Sequence, residues 1–411
     1  MTGDLVDRWI VVGAGAAGCV AAARLSERPD REVVLLEAGP DHPPPPPDAD
    51  LGPYLADPHR IRDELVVRTF GTAPVAYAQG FGVGGSSLVN GSIVTGPDPG
   101  GHDLPVEAPW AIGPVGGSLL DADPLARIVG LVRRAGRRVT AADAYLRPVL
   151  DRSNLTLRTG CDVRRVRFDR RSAVGVELAD GSSVDADHVV VCAGAIRSPT
   201  LLLRSGVDTP GVGEHLQDHP AFTVALDLRA DAVDPTVPAI SVAADHGDHQ
   251  VLALDRLPTV ASMGALVVGL LAVDSEGRVS IDDAGSPVVE LGSLGDGRER
   301  AALARGVAGA LSMLAGPAFE RVVEHAFVDD VGTPASRLVA DPDLVEEWVS
   351  RHLGGHLHVA GSCRAGGGTD GGRVRGYRGL YVADASALPG VPRLDLYLTV
   401  IRQAERLAAA W

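Results

Sequence analysis

Apolar runs of five or six residues alternate with glycine-rich turns along most of the chain, and the first forty residues give the clearest pattern. Residues 8–12 (Arg-Trp-Ile-Val-Val) read as a buried strand. Gly13-Ala-Gly-Ala-Ala-Gly18 follows, and apolar residues then recur at helical spacing from about residue 17 to 27. Residues 32–37 (Glu-Val-Val-Leu-Leu-Glu) form a second buried strand, which completes a βαβ unit. Pro43–Pro47 is an unbroken proline run and predicts an extended polyproline loop at the surface, near the mouth of a site. Residues 96–125 are Gly/Pro-rich with little periodicity.

Further along, apolar positions around Leu125, Ile128, Val129, Leu131 and Val132 predict a helix within 126–150. Strands are expected at 155–159, 162–168, 173–179 and 188–192, with Asp180-Gly181 as a hairpin turn. Residues 220–295 read as strands joined by polar turns. Helices are expected at 298–315 and 341–353, a buried strand at 379–383 and a terminal helix at 398–410. No internal repeat is visible.

Composition narrows the class. A chain of 411 residues with 45% hydrophobic and 22% charged residues has ample apolar side chain for a large core in two or three domains. A net charge of −15 without a basic stripe argues against nucleic-acid binding. The apolar run Val260–Val273 contains Ser262 and two glycines and is shorter than the ~20 residues of a membrane span, so a core strand is expected there. With the first strand near residue 8, no signal peptide is expected. Cys19, Cys161, Cys192 and Cys363 show no CxxC spacing, so reduced buried thiols in a cytoplasmic protein are expected, without a metal.

Gly13-x-Gly15-x-x-Gly18 stands where a dinucleotide needs it, after a strand and at the start of a helix. Gly13 permits the turn, Gly15 lets the pyrophosphate approach the backbone, and Gly18 lets helix and strand pack closely. The N–H groups of the helix start, Ala16 and Ala17 included, then hold phosphate charge. Glu37, with Ala38 after it, ends the second strand at the usual distance for a carboxylate that accepts ribose hydroxyls.

Three further segments resemble the glucose–methanol–choline (GMC) family of flavin oxidoreductases. Val83-Gly-Gly-Ser-Ser-Leu-Val-Asn90-Gly91 resembles its first signature, a loop of bare glycines and small hydroxyls over the cofactor; Gly84, Gly85 and Ser86 would touch the cofactor and Asn90 would sit beside the flavin ring. Gly194-Ala-Ile-Arg-Ser-Pro199 through Val207 resembles the second signature, preceded by Ala193, although Asp208 stands where the family has Gly. His358-Val-Ala-Gly361-Ser-Cys-Arg-Ala-Gly366 resembles His-Pro-x-Gly-Thr-x-x-Met-Gly. Gly379-Leu-Tyr-Val-Ala-Asp384-Ala-Ser-Ala-Leu-Pro389 resembles the flavin-contacting strand and turn.

The resemblance implies an α/β fold: an FAD-binding Rossmann-like three-layer domain (1–219 plus 356–411) and a smaller α+β domain with an antiparallel sheet for the substrate (220–355). It implies FAD, non-covalent because Leu88 and Val89 occupy the loop where some members attach it through His. Val163 would pack near the adenine, and Asp384, Ala385 and Leu398 would contact the cofactor.

The activity implied is oxidation of the CH–OH group of a small-molecule alcohol, with hydride transfer to flavin N5 and His358 as base. No motif fixes the electron acceptor. His is suited to that task by its unperturbed pKa of ~6.5. His356, two residues earlier, would point to the opposite face of an extended segment and is the fallback base. Tyr397 falls where the family has a second His or Asn and is a candidate partner of the substrate oxygen. Arg393 is a candidate for positive charge near the reduced flavin, whereas His215 and His219 are read as structural. Two segments look trimmed relative to the family, which predicts a more open site. A Lys-free, Arg/Ala/Gly/Val-rich chain also resembles actinobacterial members associated with the redox cofactor mycofactocin. An FAD-retaining lyase, or a flavoprotein of the same family that has lost catalysis, is the alternative expectation.

Overall fold

A computed structural model describes residues 6–43, 57–62, 65–69, 74–98, 100–257, 260, 262–341 and 343–411. Strand Asp7–Val12 lies at the centre of the five parallel strands of a seven-stranded sheet, between Arg31–Leu36 on one side and His188–Val191 on the other. Leu155–Arg158 and Leu380–Val382 extend the parallel part outward, and two short antiparallel strands complete one edge. Alternation along the central strand serves both faces. Trp9 and Val11 pack under helices Ala16–Leu25 and Leu396–Ala410, while Ile10 and Val12 face the opposite layer. That layer is the three-stranded meander of Val163–Asp169, Ser172–Leu178 and Ser183–Asp185 together with helix Gly194–Arg204. Burial on both faces explains why the parallel strands read as unbroken apolar runs.

A second, antiparallel sheet is built on Pro220–Leu228, which pairs with Met263–Leu270 and with Val323–Phe327. The apolar run of 260–273 supplies its Met263–Leu270 strand. Helices Gly297–Leu314 and Leu344–Arg351 cover one face. So does helix Pro114–Ala122, and strand Ala126–Ile128 joins the sheet's edge. These two elements fall numerically within 1–219 but pack on the other core, while strands Gly277–Ile281 and Pro287–Leu291, within 220–355, pair with Glu214–Leu216 and Val66–Thr69, so the expected division at residue 219 is crossed in both directions.

The helix expected within 126–150 is not there. Residues 126–138 form strands Ala126–Ile128, Gly130–Arg134 and Arg137–Arg138, and only short helical turns follow over Ala142–Val149. Ala135 (φ 51°) and Gly136 (φ 74°) make a hairpin turn with two positive φ values. Spacing near 3.6 was a coincidence of apolar positions, and β-branched Ile128, Val129 and Val132 suit strands. The proline run falls, beyond residue 43, outside the described residues. Among the described residues no helix is long and apolar enough to cross a membrane.

Candidate active site

The glycine motif is built as its spacing predicts. A Cβ on Gly18 would stand 1.8 Å from the Gly13 carbonyl oxygen, and Gly13 itself has φ 97° against the Cys192 carbonyl. Helix Ala16–Leu25 starts at Gly15 with no capping side chain and no acidic residue in its first turn. Its first N–H groups and positive dipole end are therefore available to an anion. The loop of Gly84 and Gly85 closes over this end: Gly84 N–H donates to the Ala14 carbonyl (2.7 Å), and a Cβ on Gly85 would lie 2.7 Å from the Gly15 Cα.

Glu37 is buried, and its two oxygens accept the N–H groups of Ala14 (2.7 Å) and Gly39 (2.8 Å). Burial raises its pKa, and each oxygen keeps a lone pair for a further hydroxyl. These residues fit a dinucleotide pyrophosphate with its ribose. Val163 lies in the same core cluster as Leu36, Ala38 is half-buried beside Glu37, and Leu398 is buried in the upper core.

The Asp384 side chain is fully engaged by protein donors. Its Oδ1 accepts Ser386 N–H (2.9 Å) and Ser386 Oγ–H (2.5 Å), and its Oδ2 accepts Gly194 N–H (2.7 Å) and Ser198 Oγ–H (2.5 Å). A carboxylate has about four acceptor positions, and protein donors fill them. The side chain thus bolts the Ala193–Gly194 helix start to the Ala385 turn, shaping the cleft without a free lone pair for the cofactor.

Asn90 is similarly engaged: its Oδ1 accepts from Arg138 (2.5 Å) and from the Ser92 hydroxyl (3.0 Å). Ser86, beside it in the loop, is exposed and accepts Gly80 N–H at 3.3 Å.

His358 does not stand alone. Its Nδ1 lies 3.2 Å from Nδ1 of His219, and His356 completes a cluster in which one nitrogen from each ring lies within 4.8 Å of the others. A single carboxylate oxygen, Asp218 Oδ1, accepts the backbone N–H of both His219 (2.8 Å) and His358 (2.7 Å). Burial, with His356 and His219 beside it, holds the His358 pKa well below the ordinary range; burial likewise pushes His356 down to about 4 and His219 down to about 3. The rings are thus neutral near pH 7. Burial raises Asp218 to about 7, and its Oδ2 is buried without a hydrogen-bond partner.

The alternation expected of His356 and His358 fails because Leu357 between them adopts φ 59°. The left-handed residue turns the segment so that both rings reach one cluster. An L residue there costs ~1–2 kcal/mol, and strain of this kind gathers at functional sites. Leu357 is half-exposed, so Leu357→Asn is expected to raise stability by ~1 kcal/mol and Leu357→Val to lower it by a similar amount. Denaturant midpoints of the two variants measure this.

Tyr397 is not among these rings. Its hydroxyl is buried without a hydrogen-bond partner, near Ser87 and Arg138, and burial raises its pKa. Arg393 donates to the Gly247 carbonyl and lies 3.6 Å from Asp245. His215 bonds Glu276 (2.6 Å), a structural contact as expected. The residue missed was His219. Its signal was its place at the crossing between the two sheets, one residue after Asp218.

The GMC oxidoreductase family models match residues 126–221 and 273–404, and an NAD(P)-binding Rossmann-like domain model matches 11–42. The chain belongs to the GMC oxidoreductase family. A GMC-type oxidoreductase from the thcA 5′ region of Rhodococcus erythropolis is 29% identical, the match covering 98% of this chain and 97% of the relative. Choline oxidase of Arthrobacter globiformis is 26% identical over 98% of this chain and 94% of its own. The Rhodococcus alignment runs over 501 positions, more than this chain has residues, so that relative carries segments missing here.

Pyridoxine 4-oxidase from Mesorbium loti shares the fold, with a TM-score of 0.85 at 23% identity, covering 98% of this chain and 99% of that one. This GMC chain is an oxidoreductase of a family that binds FAD, with the mixed α/β fold its sequence predicts.

Proposed function

We propose that this GMC oxidoreductase oxidises the CH–OH carbon of a small-molecule alcohol with His358 as base and FAD held non-covalently. The observation that carries the reading is a neutral His358, clamped through its backbone by Asp218 and paired through its ring with His219. The relatives named choline oxidase and 5-(hydroxymethyl)furfural oxidase support an alcohol as substrate. Leu88 and Val89 offer no nucleophile in the loop for covalent attachment. The sheet built on Pro220–Leu228 supplies the substrate wall.

Bound FAD supplies the hydride acceptor. The chain's part is to position the alcohol and take its hydroxyl proton. Two neutral imidazoles facing through Nδ1 share one proton between those nitrogens. His219 Nε2 is buried without a hydrogen-bond partner. In the tautomer that makes His358 the base, His219 Nδ1 accepts, His358 Nδ1–H donates, and His358 Nε2 carries the free lone pair. That lone pair accepts the hydroxyl proton. Tyr397, expected at the same hydroxyl, instead lies outside the His cluster with its own hydroxyl buried and unpartnered.

Anaerobic addition of alcohols to the FAD-loaded protein tests this. Bleaching of the visible flavin absorption by primary or secondary alcohols is the expected result. An unchanged spectrum across a broad alcohol panel, with FAD bound, refutes oxidation and returns the lyase reading.

A further inference from the structure

Three imidazoles sharing one pocket exceed what a single base requires, and their donor set is that of a metal centre. We propose that His219, His356 and His358 form a binding site for a divalent transition cation of the zinc class. The geometry is close to what such an ion needs. Two nitrogens each ~2.0–2.1 Å from a tetrahedral Zn²⁺ stand roughly 3.3 Å apart, and the His219 and His358 Nδ1 atoms are 3.2 Å apart. The third nitrogen, from His356, lies within 4.8 Å of both, so a side-chain rotation closes the set. His356 Nε2 is buried with no hydrogen-bond partner, its ring edge packed beside Gly269.

The chemistry selects the ion. Three neutral nitrogens with no carboxylate among them suit Zn²⁺, Co²⁺, Ni²⁺ or Cu²⁺ and not Mg²⁺ or Ca²⁺, which take oxygen. The site is also preorganised. Asp218 Oδ1 fixes the backbone of two of the three residues, and its unpartnered Oδ2 places an acceptor beneath them. Leu357, with φ 59°, turns the third ring onto the same side. His356 and His358 keep part of their side chains exposed. Three protein ligands leave a fourth position for water or another small ligand.

The site has a consequence that rests on the proposed function. A cation on His358 Nδ1 leaves that neutral ring's proton on Nε2, the nitrogen proposed to take the hydroxyl proton, so metal binding and proton removal from an alcohol exclude each other. Zn²⁺ then inhibits in competition with the alcohol.

The test is titration of the FAD-loaded protein with Co²⁺, read by ligand-field absorption at wavelengths beyond the flavin bands, followed by displacement with Zn²⁺. One Co²⁺ per chain with tetrahedral-type absorption is expected. Loss of an outer-shell partner alone costs metal sites ~10–100-fold in affinity, so His356→Ala is expected to weaken Co²⁺ binding by at least that factor. His219→Gln provides a second measurement should His356→Ala fail to fold. His246→Ala, in the stacked His246–His249 pair elsewhere on the surface, is expected to leave the affinity unchanged. Absence of saturable Co²⁺ binding, or equal affinity in parent, His356→Ala and His219→Gln proteins, overturns the site. A protein that binds Co²⁺ yet never oxidises an alcohol loses the proposed function and keeps the metal site.

Discussion

Replacing His358 by alanine is expected to lower kcat/KM for the alcohol by ~10²–10⁴-fold, equivalent to ~3–5 kcal/mol of transition-state stabilisation. The size follows from the role. A neutral imidazole held in place accepts the proton as the C–H bond breaks, and no other group of the cluster is placed to do so equally. His219 Nδ1 is committed to His358, and His356 Nε2 is buried without a partner. FAD content and the visible flavin spectrum are expected to match the parent protein, because the cofactor residues lie on the glycine motif and the Asp384 bracket. His219→Ala is expected to cost less: it frees the His358 ring to rotate and lets either tautomer form, but leaves the base present. A His358→Ala protein retaining more than a tenth of the parent kcat/KM would place the base elsewhere.

The parts of the fold legible in the sequence are those whose causes are local. The central strands announced themselves because burial on both faces forces unbroken apolar runs, and the turn at Gly13 needs a residue that tolerates φ 97°. Helix Pro114–Ala122 was hidden because its stabilising partner is remote. The buried Asp255 accepts the N–H groups of Val115 (2.7 Å) and Gly116 (3.2 Å) from 140 and 139 residues away.

The active site divides in the same way. His358 was found through its motif, while His219 comes from a segment 139 residues earlier in the chain, and only sheet pairing reveals the two rings together. Alternation placed His356 on the wrong side because nothing in a leucine announces a left-handed conformation. Tyr397 occupies the expected position on the terminal helix, but its hydroxyl is buried without a partner, near Ser87 and Arg138 of other elements.

Two alanine substitutions three residues apart in the glycine motif are expected to fail in opposite ways. In Gly18→Ala the new methyl meets the Gly13 carbonyl oxygen at 1.8 Å, and both partners are backbone. Neither can yield without pulling the helix away from strand Asp7–Val12, so the cost reaches or passes the ~3 kcal/mol upper range of overpacking. The thermal midpoint falls sharply with or without FAD.

In Gly15→Ala the methyl finds no atom nearer than 4.0 Å, and φ −72° with ψ −170° suits alanine. Measured without cofactor, that variant is expected to be as stable as the parent, or more so by ~0.4–1 kcal/mol through a stiffer unfolded chain. Its methyl, however, stands between the bare helix N-terminus and the phosphate that must approach it. FAD affinity is therefore expected to drop at least tenfold, or ~1.4 kcal/mol, read by quenching of flavin fluorescence. Equal FAD affinity in Gly15→Ala and parent would mean that the pyrophosphate does not cross the helix start at residue 15. The glycine spacing would then serve helix packing alone.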